Sequence, residues 1–220
     1  MIMLIATNIL IILKILTVIK NRINTSMNNF KIWLTEEENQ KPPTKKIILV
    51  NDGSFNPVHR GHINVTLRAA EVAKLAGLEV IGPILSPKHD SWIERKLKDS
   101  NQVLPAEDRY NLLSQAAAGT GIEVDRWEID SPTYKTAKEY KEHYESKYPG
   151  ATYVMIIGDD YGSCKPTPCF ETKDDVWYIR MPRTEGLSST KIRNAISRGE
   201  PLDDLAFEPV RQYMLGRQAK

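Results

Sequence analysis

Two histidines three residues apart, His59 and His62, follow a glycine-led turn, Gly53-Ser54-Phe55-Asn56-Pro57. Directly before that turn runs Ile47-Ile48-Leu49-Val50, and directly after the histidines comes Ile63 to Leu75, with apolar residues at helical spacing. The histidines therefore stand at a helix start. There the first backbone N–H groups lack partners and the helix dipole is positive, which suits phosphate. Residues three apart face one side of the first turn, so both imidazoles can add donors to an anion held by the backbone. Gly53 lets the backbone approach a ligand, Gly61 leaves room between the histidines, and Pro57 stiffens the turn.

A second cluster lies far along the chain, in Leu187-Ser188-Ser189-Thr190-Lys191-Ile192-Arg193. Ser188 or Ser189 can cap a helix, and hydroxyls, free N–H groups and two cations then gather at one helix start. This reads as a second anion site. Gly158-Asp159-Asp160 follows another apolar run, and Arg95, Lys96 and Lys98 form a basic cluster after Ser86-Pro87-Lys88-His89-Asp90-Ser91-Trp92. The standard glycine loops are absent: no GxGxxG follows the first apolar run and no GxxxxGK[ST] occurs. GxSxG is absent too, so no protein nucleophile is evident.

These residues need elements to hold them. Ile47–Val50 predicts a buried strand and Ile63–Leu75 a helix that stops at Gly77. Leu78–Leu85 predicts a second strand, with a loop over 86–92 at its carboxyl end. Leu104-Pro105-Ala106-Glu107-Asp108-Arg109 opens a helix with proline and acids in its first turn. Ile122–Ile129 alternates and predicts a third strand carrying Trp127 and Glu128 near its end. A polar helix over 132–148, a strand over 152–157, a loop over 165–175, a strand over 176–179 and a last helix near 207–215 complete the pattern. Strand alternating with helix implies α/β architecture: one doubly wound, Rossmann-like domain with a five-stranded or larger parallel sheet and C-terminal helices. In such a sheet the strand-to-helix turns share one edge, so the histidine turn and the serine-rich turn can converge on one polyphosphate.

Composition is that of a globular chain, with 26% charged and 41% hydrophobic residues. Lys14, Lys20 and Arg22 stand in residues 1–26 without an acid, so the remainder, with 27 basic and 28 acidic residues, is nearly neutral. That excludes nucleic-acid binding driven by bulk charge. Cys164 and Cys169 fit no zinc spacing and predict two free thiols in a reducing compartment. Met1–Ile19 is mostly apolar but contains Lys14, and no small-residue cleavage site follows. Its readings are upstream sequence outside the working protein, with Met27 as a second start, then a membrane anchor, then an atypical targeting segment. The expected organisation is an apolar segment over 1–26, a polar linker over 27–45 and the working domain over 46–220. The expected location is cytoplasmic or nuclear, with membrane contact only if residues 1–20 are an anchor.

GSFNP, HRGH, the loop at Ser86–Asp90, LPAEDR, VDRWE, GDD and SSTKIR stand in the order seen in nicotinamide/nicotinate mononucleotide adenylyltransferases. The chain resembles that family, within the HxGH nucleotidylyltransferase superfamily, over roughly Lys46 to Met214. The resemblance implies transfer of the adenylyl group of ATP to nicotinamide or nicotinate mononucleotide, with release of pyrophosphate and with Mg²⁺ accompanying ATP. It implies that His59, His62 and Arg193 are catalytic. It implies that Gly53, Ser54, Phe55, Gly158, Asp160, Ser188, Ser189, Thr190 and Lys191 join them around ATP, Asp160 near the ribose or metal. It places Ser54, Phe55, Trp92, one of Arg95, Lys96 or Lys98, and Trp127 around the mononucleotide, Trp127 stacking on its ring. No protein ligand set for a metal is assigned, and a homo-oligomer stays open. Arg183-Thr184-Glu185-Gly186 resembles the cytidylyltransferases of the same superfamily, so a cytidylyl- or pantetheine-phosphate adenylyl-type transferase, or a non-catalytic nucleotide-binding protein of this fold, are the alternatives.

Overall fold

A computed structural model describes residues 42–97, 102–158, 168–182, 186–202 and 205–218. The expectations for residues 1–26, for most of the linker and for Lys98, Asp159, Asp160, Cys164 and 183–185 lie outside the described residues. Everything turns on strand β1, Lys46–Gly53. Ile47, Ile48, Leu49 and Val50 have no exposed surface. Side chains alternate along a strand, so both sheet faces must be covered. Ile47 and Leu49 pack with Ala69, Ala70 and Ala73 of helix α1, Arg60–Leu75. Ile48 and Val50 pack with Tyr140 and Tyr144 of helix α4, Ala137–Lys147.

The other strands are β2, Glu79–Pro87; β3, Glu123–Val124; β4, Thr152–Gly158; β5, Cys169–Lys173; and β6, Val176–Met181. They form one sheet in the order β3-β2-β1-β4-β6-β5. All neighbours are parallel except β5 and β6. The chain walks outward from β1 to β3, then returns to place β4 on the other side of β1. Connections therefore leave in opposite directions between β1 and β4, which opens a crevice at their carboxyl ends. Helices α2, Asp90–Lys96, and α3, Ala106–Ala117, follow β2; α5, Ser189–Ser197, and α6, Glu208–Gln218, follow β6. Phe55, Val58, Leu85, Leu113, Ile192 and Val210 join these pieces in a third apolar cluster.

Four elements differ from the sequence reading. The loop expected over 86–92 shrinks to Lys88 and His89, because β2 runs to Pro87 and His89 caps α2, its Nδ1 accepting the Ser91 N–H at 3.1 Å. The third strand has two residues rather than eight. Asp125 Oδ1 accepts the Trp127 backbone N–H at 2.8 Å, and this side chain replaces a ladder bond and turns the chain away. Residues 169–173, expected as loop, form β5. Asp174 and Asp175 take φ of 50° and 61°, the left-handed pair a two-residue hairpin requires. The polar helix begins at Ala137, because Thr136 and Glu139 cap it reciprocally; the Glu139 carboxylate accepts the Thr136 N–H at 2.8 Å. The free-thiol expectation fails at Cys169, which is disulfide-bonded.

Leu49→Ala would remove a side chain buried on the central strand. It is expected to lower the unfolding free energy by about 2–5 kcal/mol in chemical denaturation, with the slope of the transition unchanged.

Candidate active site

The crevice between β1 and β4 holds a cleft of about 380 Å³. Its floor is Asn51 to Asn56 and the β4 end at Ile156 to Gly158; its walls include His59, His62, Lys96, Ser188, Ser189, Thr190 and Arg193. The turn after β1 is held open by a tight local fit. Phe55 is buried and sits at φ 43°, in the left-handed region that costs a phenylalanine strain of about 1 kcal/mol or more. A Cβ on Gly53 would stand 3.0 Å from the Phe55 ring, so any larger residue there would press on the buried phenyl. That ring meets His62 edge-on with centroids 4.9 Å apart.

Helix α1 opens beneath this turn. The His59 backbone N–H donates to His62 Nδ1 at 3.2 Å. An accepting Nδ1 means that the neutral His62 ring carries its proton on Nε2. The two imidazoles stack with centroids 3.7 Å apart. Burial lowers the His59 pKa to about 4. Burial also holds His62 well below its ordinary value, with nearby His59 and Lys96 adding to the effect. Both rings are therefore neutral at physiological pH, and each offers one N–H. His59 Nδ1 is buried and has no hydrogen-bond partner among the described residues.

The serine-rich turn is bonded to the histidine turn. Arg193 Nη1 donates to the Asn56 carbonyl at 2.6 Å, and Ser189 Oγ donates to the Pro57 carbonyl at 2.9 Å. Arg193 also reaches Gln102 Oε1 at 3.3 Å and Thr190 Oγ1 at 3.1 Å. Burial pulls its pKa below the ordinary value. Ser188 caps α5, its hydroxyl accepting the Lys191 N–H at 3.1 Å. The Lys191 side chain turns back to the Gly186 carbonyl at 3.0 Å and does not line the cleft.

The residues expected around a mononucleotide divide. Ser54, Phe55 and Lys96 line the cleft. Trp92, Arg95 and Trp127 do not. Arg95 bonds the Tyr134 hydroxyl, and Trp92 packs on Tyr134 with ring centroids 5.4 Å apart. Trp127 is half-buried, stacked on His143 at 4.0 Å and 10°. Gly158 lines the cleft, and Asp160 lies outside the described residues.

Sequence reasoning missed the residues that hold these turns in place. Arg109, fully buried in the LPAEDR helix, donates to the carbonyls of Ser54 at 3.0 Å, Lys88 at 2.7 Å and Leu104 at 3.0 Å, and pairs with Asp90 at 2.6 Å. Asn56 spans the same region, its amide donating to the Gln102 carbonyl and its oxygen accepting the Leu104 N–H, both at 2.8 Å. The signal for Arg109 was a lone cation three residues into an acidic first turn; nothing in its spacing separates it from a surface arginine.

A family described as cytidylyltransferase-like matches residues 50–195. A Salinispora arenicola protein, named as a probable nicotinate-nucleotide adenylyltransferase, is 29% identical over 76% of this chain and 97% of its own length. Nicotinamide/nicotinic acid mononucleotide adenylyltransferase 2 of Danio rerio is 35% identical over 54% of this chain, and the match spans 38% of that protein. The solved structure of a Vibrio parahaemolyticus protein assigned as a nicotinate-nucleotide adenylyltransferase superposes with a TM-score of 0.52. It covers 78% of this chain and 93% of its own, at 20% identity, a likeness of fold.

The depressed His59 pKa predicts a pH effect on folding. Between its ordinary value of 6.5 and about 4, the unfolded chain takes up a proton that the folded protein refuses. Stability therefore falls as pH drops through that window. The unfolding free energy of the wild type is expected to decline more steeply from pH 6.5 to 4 than that of His59→Gln. Proton NMR of the imidazole is expected to show no protonation of His59 above about pH 5.

Proposed function

The chain belongs to the cytidylyltransferase-like family, and from that premise we propose that it transfers the adenylyl group of ATP to nicotinate or nicotinamide mononucleotide, releasing pyrophosphate. Relatives carrying that activity in their names support the reading. The observation that carries it is the junction of two helix starts on one cleft, His59 and His62 on one and Ser188 to Arg193 on the other. Each brings unpaired donors to the place where a polyphosphate would lie.

The attacking group in this reaction is a phosphate oxygen, ionised at neutral pH, so no protein nucleophile or strong base is required. The protein has to align acceptor phosphate, α-phosphorus and leaving pyrophosphate, and to stabilise the charge that builds on the phosphoryl oxygens. In our reading His62 donates from Nε2 to the α-phosphate, and His59 donates beside it. Arg193, Thr190 and the hydroxyls and amides at the start of α5 hold the β- and γ-phosphates, and Lys96 faces the acceptor phosphate. Neutral imidazoles suit this task, because they donate hydrogen bonds without repelling Lys96 and Arg193. A bound triphosphate supplies negative charge that favours protonation of both rings.

Among the described residues, no group of three or more His, Cys, Asp or Glu side chains is arranged to hold a metal ion. In our reading Mg²⁺ accompanies the triphosphate, where it would neutralise phosphate charge. Among the described residues no helix is long and apolar enough to cross a membrane.

Pyrophosphate release with ATP or CTP, against nicotinate mononucleotide, nicotinamide mononucleotide and phosphopantetheine, tests the reading. Turnover is expected with ATP and a pyridine mononucleotide; activity only with CTP or phosphopantetheine would overturn it. His62→Ala is expected to lower kcat by about 10²-fold or more, the loss typical of one donor to a charge-bearing oxygen. A variant that retained wild-type turnover would remove His62 from the mechanism.

A further inference from the structure

One charged group on the cleft has no task in phosphate handling. Asp52, at the carboxyl end of β1, lines the cleft. Its Oδ2 stands 2.5 Å from Lys88 Nζ, with the two side chains only 12% and 11% exposed. Lys88 Nζ also donates to Glu128 Oε2 at 3.1 Å and to the Lys135 carbonyl at 3.3 Å. An ammonium has three N–H groups, so Lys88 is fully committed and cannot serve a ligand directly. Behind it Glu128, wholly buried, accepts the His89 backbone N–H at 3.0 Å and the Tyr140 hydroxyl. Tyr140 in turn pairs with Ser86 Oγ at 2.9 Å. Burial by itself would pull the Lys88 ammonium down, but Asp52 and Glu128 outweigh it and raise the pKa above its ordinary value.

The network thus fixes Asp52 from one side. On the other side its Oδ1 has no hydrogen-bond partner among the described residues, and the side chain borders the cleft. A carboxylate only accepts, so whatever meets this oxygen must bring a donor. Phosphate and the carboxylate of nicotinate are excluded by charge. Position selects the substrate. Asp52 pairs in register with Ser86 on β2, and Lys88 lies 5.7 Å from the Trp92 ring centroid. The serine-rich helix follows β6, across β1 from β2. Asp52 therefore belongs to the end of the cleft away from the proposed β- and γ-phosphate site.

We propose that Asp52 orients the acceptor mononucleotide by accepting a hydrogen bond from one of its ribose hydroxyls, and that Lys88 is the positioning residue that keeps this carboxylate aimed. The assignment rests on the adenylyl-transfer reading above. It adds a contact to the sugar, the part common to both pyridine mononucleotides.

Steady-state kinetics of Asp52→Asn with each mononucleotide at saturating ATP provide the test. The expected result is a KM for both acceptors raised by about 10-fold or more, as for loss of a charge-assisted hydrogen bond, with kcat and the KM for ATP within about twofold of wild type. A rise for nicotinamide mononucleotide alone would make the carboxamide the donor and overturn the ribose assignment. An unchanged acceptor KM, or a shift only in Mg²⁺ dependence, would overturn it as well. Wild-type protein that adenylylates neither mononucleotide would instead overturn the reading beneath it. For Lys88→Gln, with folding checked by circular dichroism, the same rise in acceptor KM is expected, and Asp52→Asn/Lys88→Gln should add nothing further. Additive effects would overturn the positioning role.

Discussion

The site depends on a guanidinium that joins two turns 137 residues apart. Arg193, the fifth residue of helix α5, donates to the Asn56 carbonyl, and Ser189 at the helix start repeats the connection at Pro57. Sheet order brings the two turns to the same crevice, and these bonds set the separation between them. Charged hydrogen bonds to backbone carbonyls are short and directional, so they convert proximity into a defined gap. The donors of both helix starts then face one volume. A helix start without that constraint would still attract an anion, but could not align two reacting phosphates.

A second constraint is electrostatic. The cleft places Lys96 and Arg193 close to two stacked imidazoles, and a full set of positive charges there would repel itself in a partly dry site. Burial resolves this by holding both rings neutral. The site therefore combines the basic side chains of Lys96 and Arg193 with neutral donors from the histidines. His59 Nδ1, unpartnered among the described residues, is part of the same arrangement: a buried polar atom that costs stability unless something meets it.

Behind the cleft, two buried cations act on the backbone and on carboxylates. Arg109 ties the Gly53–Pro57 turn, the end of β2 and the start of α3 into one body. Lys88 ties the end of β1 to Glu128 and so to the turn that carries Trp127. Buried ion pairs gain little net stability over apolar packing. Their effect here is geometric, since each spans loops that have no regular hydrogen-bond ladder of their own. Trp127 illustrates the consequence: its position is set by the Asp125 turn and by stacking on His143, while the neighbouring Glu128 is anchored to Lys88.

The four-residue apolar run of β1, the helical spacing after it and the alternation of elements were readable from residue types alone, because strand and helix each impose a period on burial. The histidine and serine-rich turns were readable as helix starts from local signals too, a glycine-led turn before one and a capping serine before the other. The length of β3 and the β5–β6 hairpin were not, since a single aspartate capturing a backbone N–H, or two aspartates in the left-handed region, leave no periodic trace. Tertiary structure alone decided which polar residues meet. Arg109, Lys88 and Glu128 look like surface charges in a sequence, and only the packing of distant segments leaves them buried and bonded. Sequence by itself determined the chemistry available at each turn, because that depends on near neighbours in the chain. The fold decided the distances between turns and the protonation of the histidines, because those depend on segments more than a hundred residues apart and on how completely they exclude water.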